Sequence, residues 1–169
     1  MLILCLSFGI AILDQATKFL VMHNLFIGDQ RSVIPGLFNI SHVRNTGAAW
    51  GMMQGFNVGL VALSAVMLVV IVGFRRHFMP DGRLYRVIVG LMVGGIVGNL
   101  IDRLRLGFVV DFLDFFWRTH HFPSFNVADS AICTGVGLYI LSQCLASGKM
   151  AAPASAGESR GPRPGDASP

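Results

Sequence analysis

Four long apolar runs, separated by polar or turn-rich connections, set the framework of the chain: Met1–Met22, Val58–Phe74, Leu84–Ile101 and Val127–Leu145. A run of about 17 residues or more can cross the hydrocarbon core of a bilayer as a helix. The first run carries Asp14, Gln15, Thr17 and Lys18 in its second half and lacks both a basic start and a small-residue cleavage site. It is therefore read as the first transmembrane helix rather than a cleaved leader. Between helices one and two, Val33-Ile34-Pro35-Gly36-Leu37-Phe38-Asn39-Ile40 reads as two short strands around a turn. A second turn is expected at Met79-Pro80-Asp81-Gly82. The expected fold class is thus an all-α integral membrane protein of four transmembrane helices with a small extracytoplasmic β-containing loop region. Glycines recur every four residues at Gly90, Gly94 and Gly98, and again at Gly51, Gly55 and Gly59. Such small-residue stripes let membrane helices pack closely. Residues 1–147 form the membrane domain, and 148–169, rich in Ala, Pro, Ser and Gly, read as a disordered cytoplasmic tail.

Composition supports this division. Hydrophobic residues make up 53% of the 169 and charged residues 13%, about half the charged share of a soluble domain. The formal net charge of +4 then carries topology rather than a nucleic-acid surface. Arg75, Arg76, Arg83 and Arg86 crowd the short link between helices two and three, and Lys149, Arg160 and Arg163 follow helix four. The positive-inside rule places these segments and both termini in the cytoplasm. The opposite side holds Arg31, Arg44, Arg105 and Arg118, so the bias is moderate. Cys5, Cys133 and Cys144 lie in apolar runs without metal or disulfide spacing and are expected to be buried thiols.

Candidate chemistry collects on the outer side. Asp111 lies between Val109-Val110 and Phe112-Leu113, and Asp129 opens the last apolar run. A carboxylate at the edge of a membrane helix is costly and commonly functional. Two that converge could share one proton, as an aspartic protease requires. The alternative is that both cap helices, with Asn126 as the N-cap of helix four and Asp129 complementing its N-terminus. Asn99, Asp102 and Arg103, at i, i+3 and i+4, form one polar face at the outer end of helix three. That face is either an internally satisfied cluster or a set of donors for a substrate backbone. Asp14 and Lys18, at i and i+4, can pair, with Lys18 snorkelling toward the headgroups. His42, His120 and His121 have no metal-ligand spacing. Trp50 and Trp117 read as interfacial anchors. Besides a protease, these features admit a small transporter coupled through Asp14, or a structural membrane subunit.

Five stretches in order carry a resemblance: Asp14-Gln15-Ala16-Thr17-Lys18, Asn45-Thr46-Gly47-Ala48-Ala49, Gly94 to Arg103, Val109-Val110-Asp111-Phe112, and Phe125 to Ala131. Together they resemble lipoprotein signal peptidase (signal peptidase II), a bacterial membrane aspartic protease family, over roughly residues 10 to 146. Trp50 stands where that family more often has Phe. The resemblance implies Asp111 and Asp129 as the catalytic dyad and Asn45, Asn99, Arg103 and Asn126 as substrate-positioning residues. Asp14, Lys18 and Asp102, with Gly47 and Ala128, would be supporting positions. It implies a diacylglyceryl-modified prolipoprotein as substrate, cleavage just before the lipidated Cys, membrane lipid as surroundings, and no metal or organic cofactor. It also implies the bacterial inner membrane, with the site near the outer face. The Phe-rich stretch Phe112–Phe125, with Trp117, is expected to face lipid and receive acyl chains.

Overall fold

A computed structural model of the chain describes residues 1–48, 52–74 and 82–150. Trp50, Arg75, Arg76, most of the Met79–Gly82 turn and residues 151–169 of the expected tail lie outside the described residues. The elements run α1 (Leu2–Asn24), β1 (Gln30–Ile34), β2 (Phe38–Asn45), α2 (Asn57–Gly73), α3 (Arg83–Leu106), β3 (Val109–Trp117), β4 (His120–His121) and α4 (Val127–Met150). Three of these helices, α1, α3 and α4, are long and apolar enough to cross a membrane, and α2 is a shorter apolar helix of 17 residues.

Helix α3 is central and packs against α1, α2 and α4. Its glycines explain how. A Cβ on Gly94 would lie 2.8 Å from the Ser7 carbonyl oxygen of α1, and one on Gly98 would lie 2.6 Å from the Asp14 carboxylate. On the other flank, a Cβ on Gly95 would run into the Ala128 carbonyl of α4. With lipid outside, burial of apolar surface gives little drive to helix association, so close backbone contact of this kind matters. Of the other stripe, Gly51 lies outside the described residues, and the other two glycines show no such contact with a neighbouring helix. α2 begins at Asn57, Gly55 precedes it with open space around it, and a Cβ on Gly59 would meet only the Phe56 ring of the same segment.

The four strands form one antiparallel arrangement in the order β1-β2-β3-β4. Pro35 and Gly36 make the expected turn. Gly36 has φ of +78° and Leu37 N–H donates to the Ile34 carbonyl at 3.1 Å, the pattern of a type II turn with Pro then Gly at its centre. β3 is the larger correction to the sequence reading. Val109–Trp117 is a nine-residue strand, and Phe112 within it is buried against Val21 and Val110 rather than facing lipid. Trp117, by contrast, is exposed. Gly107, at φ +80°, ends α3 in the left-handed conformation and turns the chain directly into β3. The β2–β3 pairing shifts register between Ile40 and Val43. Such a bulge re-aims side chains on the strands it joins, and here it sits opposite the Asp111 stretch.

Two further expectations fail. Cys5, Cys133 and Cys144 are exposed on the protein surface, not buried, because an apolar run marks a membrane helix without saying which face meets protein. Lys18 does not snorkel. It is buried with 1% of its surface exposed, since three acceptors surround its amine inside the bundle.

Candidate active site

The polar chemistry begins where α1 meets α3. Lys18 Nζ pairs with Asp14 Oδ2 at 2.8 Å and Asp102 Oδ2 at 2.9 Å, and donates to Asn99 Oδ1 at 3.0 Å. An ammonium has three protons, and each finds an acceptor. Gln15 completes the cluster. Its Nε2 donates to Asp102 Oδ1 at 2.8 Å and to the Gly98 carbonyl at 3.1 Å. Gln15 was visible only as part of a motif. Its position next to Asp14, on the α3-facing side of α1, is what gives it a role. Asp14 and Asp102 also reach outward to the backbone. Asp14 Oδ1 accepts from Ala128 N–H at 2.9 Å, and Asp102 Oδ2 accepts from Val110 N–H at 3.1 Å. The supporting acids thus tie α4 to α1 and β3 to α3.

Helix α4 starts with a reciprocal cap. Asn126 Oδ1 accepts from Asp129 N–H at 2.9 Å, while Asp129 Oδ2 accepts from Asn126 N–H at 3.3 Å. This is the geometry of a capping box, which satisfies two otherwise orphaned helix-start donors. The other Asp129 oxygen accepts from Asn99 Nδ2 at 2.8 Å. Across from it, Asp111 receives Asn126 Nδ2 on Oδ1 at 2.7 Å and Asn45 Nδ2 on Oδ2 at 2.8 Å. Asn126 is therefore shared by the two acids.

The orientation of each amide is set by what its oxygen accepts. The Asn45 oxygen is taken by Gly47 N–H at 2.9 Å, the Asn99 oxygen by Lys18, and the Asn126 oxygen by Asp129 N–H. Each is left to point its NH2 group at a carboxylate. Asp111 is buried at 2% exposure. Burial, reinforced by the nearby Asp129 charge, pushes its carboxyl up to about 7, against the opposing pull of the Asn45 and Asn126 hydrogen bonds and of Lys18.

Both acids open on a cavity of about 820 Å³. Asn45, Asn99 and Arg103 line its polar end, and Phe122, Pro123, Phe125 and Ile132 give it an apolar wall. Arg103 donates from Nη2 to the Gly47 carbonyl at 3.2 Å, so Gly47 joins the site through its backbone. The structure brings together Asn45, Asn99, Arg103, Asp111, Asn126 and Asp129, with Asp14, Lys18, Asp102 and Ala128 directly behind them. Ser130 and Cys133 also line the cavity. They follow Asp129 by one and four positions, a helical spacing that could have flagged Cys133. His42 lies elsewhere, its Nδ1 on the Leu25 carbonyl at 2.9 Å. Among the described residues, no group of three His, Cys, Asp or Glu side chains converges as metal ligands would.

A family described as signal peptidase (SPase) II matches residues 6–145. A lipoprotein signal peptidase of Geobacter metallireducens is 47% identical over 133 residues, covering 77% of this chain and 82% of that protein. One of Symbiobacterium thermophilum is 42% identical over 151 residues, covering 88% and 98%, and one of Bacillus subtilis is 39% identical over 136 residues, covering 80% and 88%. A solved structure described as a bacterial membrane enzyme superposes with a TM-score of 0.79 at 34% identity, covering 87% of this chain and 90% of that one. A second bacterial membrane enzyme superposes at 0.72 with 36% identity, covering 83% and 91%. Apolar helices around a buried carboxylate–asparagine site, and a match spanning nearly the whole membrane portion, place this chain in the signal peptidase II family of membrane proteases.

Proposed function

We propose that this chain is an aspartic endopeptidase that removes the signal peptide from prolipoproteins already carrying diacylglycerol on their lipobox Cys, cutting just before that Cys. The observation that carries this reading is the Asn126 link. One side chain bonds Asp111 through its amide and caps against Asp129 through its oxygen and its backbone. Two acids tied so closely do not both ionise readily. With the Asp111 carboxyl raised to about 7, Asp111 keeps its proton up to the neutral range, and the two acids titrate as a unit.

The reaction then needs few parts. The ionised acid takes a proton from water as its oxygen attacks the scissile carbonyl carbon. The protonated acid gives its proton to the carbonyl oxygen. Collapse of the tetrahedral intermediate breaks the C–N bond, and the departing nitrogen takes up a proton. Arg103, which lines the cavity, offers a donor where charge develops on the substrate, and Asn45, Asn99 and Asn126 hold the two carboxylates in place for it. A signal peptide is itself a membrane helix, and the lipidated Cys is held at the bilayer surface. Arg83 and Arg86 at the α3 start point to the cytoplasmic side. The opposite end of α3, with Asn99 and Arg103, then lies at the outer face, where the scissile bond is presented. The apolar wall at Phe122–Phe125 suits the acyl chains.

A gel-shift cleavage assay tests this directly. Wild type should cut the diacylglyceryl-modified precursor and leave the unmodified form intact. Asp111→Asn and Asp129→Asn should each lose roughly 10³-fold or more while inserting normally. Turnover surviving in either variant would mean that the wrong carboxylates have been chosen.

A further inference from the structure

Asp114 is a buried carboxylate for which the proposed reaction has no use. Its side chain is 3% exposed and holds two partners: Asn39 Nδ2 on Oδ2 at 3.1 Å and His121 Nδ1 on Oδ1 at 2.8 Å. Asn39 faces Asp114 directly across the β2–β3 ladder, so that contact follows from register. His121 does not. It belongs to β4, which pairs with β3 only through Phe116↔His121 and Trp117↔His120.

A strand of this length cannot hold itself. A hairpin with two residue pairs gains little from its ladder. The tip here is also unfavourable, because Arg118 sits at φ +56°, a left-handed conformation that crowds the Cβ of an ordinary residue. Beside the main-chain bonds that follow it, β4 is held by side-chain chemistry: His121 stacks on Phe116 with ring centroids 5.0 Å apart, and its Nδ1–H donates to Asp114. A carboxylate acceptor makes that bond stronger than a neutral one.

The consequence lies just downstream. Phe122, Pro123, Ser124 and Phe125 follow His121 and form the apolar wall of the cavity. The next residue is Asn126, bonded to Asp111. Asp111 and Asp114 are three residues apart on one strand. Between them they grip the two ends of the wall, Asp111 through Asn126 and Asp114 through His121. Main-chain bonds from Phe122 N–H to Phe115 O at 2.8 Å and from Phe125 N–H to Leu113 O at 3.2 Å lie between the two grips.

We propose that Asp114 and His121 are positioning residues that fix the Phe122–Phe125 wall against the substrate without taking part in bond cleavage. This rests on the protease reading, since the wall is assigned to a substrate's acyl or signal-peptide surface. The pair acts on binding, so it should appear in KM and leave kcat alone.

The test uses the full chain in lipid, with the lipidated precursor. His121→Ala should raise KM about tenfold, the size of one charge-assisted hydrogen bond, with kcat unchanged. His121→Asn, whose Nδ2 sits where Nδ1 was, should restore KM. Asp114→Asn should raise KM by less than His121→Ala does, because Asn39 can turn its amide to match while the bond from His121 loses its charge assistance. Asp114→Ala and the Asp114→Ala/His121→Ala pair should cost the same, as expected when two residues act through one contact. Amide exchange at Phe122 and Phe125 supplies a readout independent of turnover: it should quicken in His121→Ala and not in His121→Asn. An unchanged KM and unchanged exchange in His121→Ala would overturn the proposal. So would a loss of kcat that tracks a lowered unfolding midpoint. If wild type fails to cut the lipidated precursor, the protease reading fails, and the exchange result still decides whether the pin exists.

Discussion

Asp111→Asn should make the protein more stable at pH 8 while abolishing its activity. The Asp111 carboxyl is raised from 3.8 to about 7 in the folded protein. For an acid shifted upward, the unfolded chain releases its proton more readily than the folded one. Stability is therefore full below about 4 and is lost as pH rises through about 7. A shift of this size is worth roughly 4 kcal/mol at pH 8. An asparagine cannot ionise and so escapes that loss. It keeps the acceptor for Asn126 Nδ2, but its own NH2 would meet the NH2 of Asn45, whose oxygen is already held by Gly47 N–H. That conflict costs on the order of 1–3 kcal/mol. The net gain is about 1–3 kcal/mol at pH 8, falling to a net loss near pH 4, where the unfolded chain also keeps much of its Asp111 proton and the ionisation cost has almost vanished. Unfolding midpoints in detergent, measured for both proteins from pH 4 to 8, should cross within that window. A variant less stable than wild type by a constant amount at every pH would refute the argument, because it would show that Asp111 carries no stored ionisation cost.

Two other perturbations separate support from substrate contact. Lys18→Met leaves Asp14 and Asp102 buried without their counter-ion and should destabilise the fold by about 3–5 kcal/mol. Adding Asp14→Asn restores the cluster's net charge and should recover part of that loss in the same unfolding assay. Arg103→Ala should unfold like wild type yet process precursor about 10–100-fold less efficiently, if the guanidinium gives a substrate one charge-assisted bond. Wild-type turnover would demote Arg103 to a clamp on the Gly47 loop.

Spacing alone shows the Asp14–Lys18 pair and the turn, but leaves the roles of Asp111 and Asp129 open until the family resemblance is added, and the places where it misleads share one physical cause. Asp14 and Lys18 pair as an i, i+4 rule predicts. The Pro35-Gly36 turn and the glycines of α3 behave as their types require. What the sequence obscured was direction. The first half of Val109–Trp117 is covered on both faces and shows no alternation, so the strand reads only as part of a Phe-rich connection facing lipid. Likewise, hydrophobicity does not distinguish a lipid-facing side from a protein-facing one. That is why the cysteines were expected inside and Lys18 at the headgroups, when Gly94 and Gly98 bring α1 so close to α3 that the Lys18 amine is enclosed.

The capping and catalytic readings of Asp129 turn out not to compete. A capping box needs an acid at the third helical position whose oxygen reaches back to the cap residue, and that residue must offer its own oxygen forward. Once the Asn126 oxygen is committed to Asp129 N–H, its NH2 can only face outward, and Asp111 is what it meets. Helix-start chemistry therefore fixes the relative placement of the two acids before any substrate arrives. In the proposed mechanism this is the preorganisation an aspartic pair requires. The same logic extends along β3, where Asp111 and Asp114 each trade a buried charge for a fixed segment of the cavity wall.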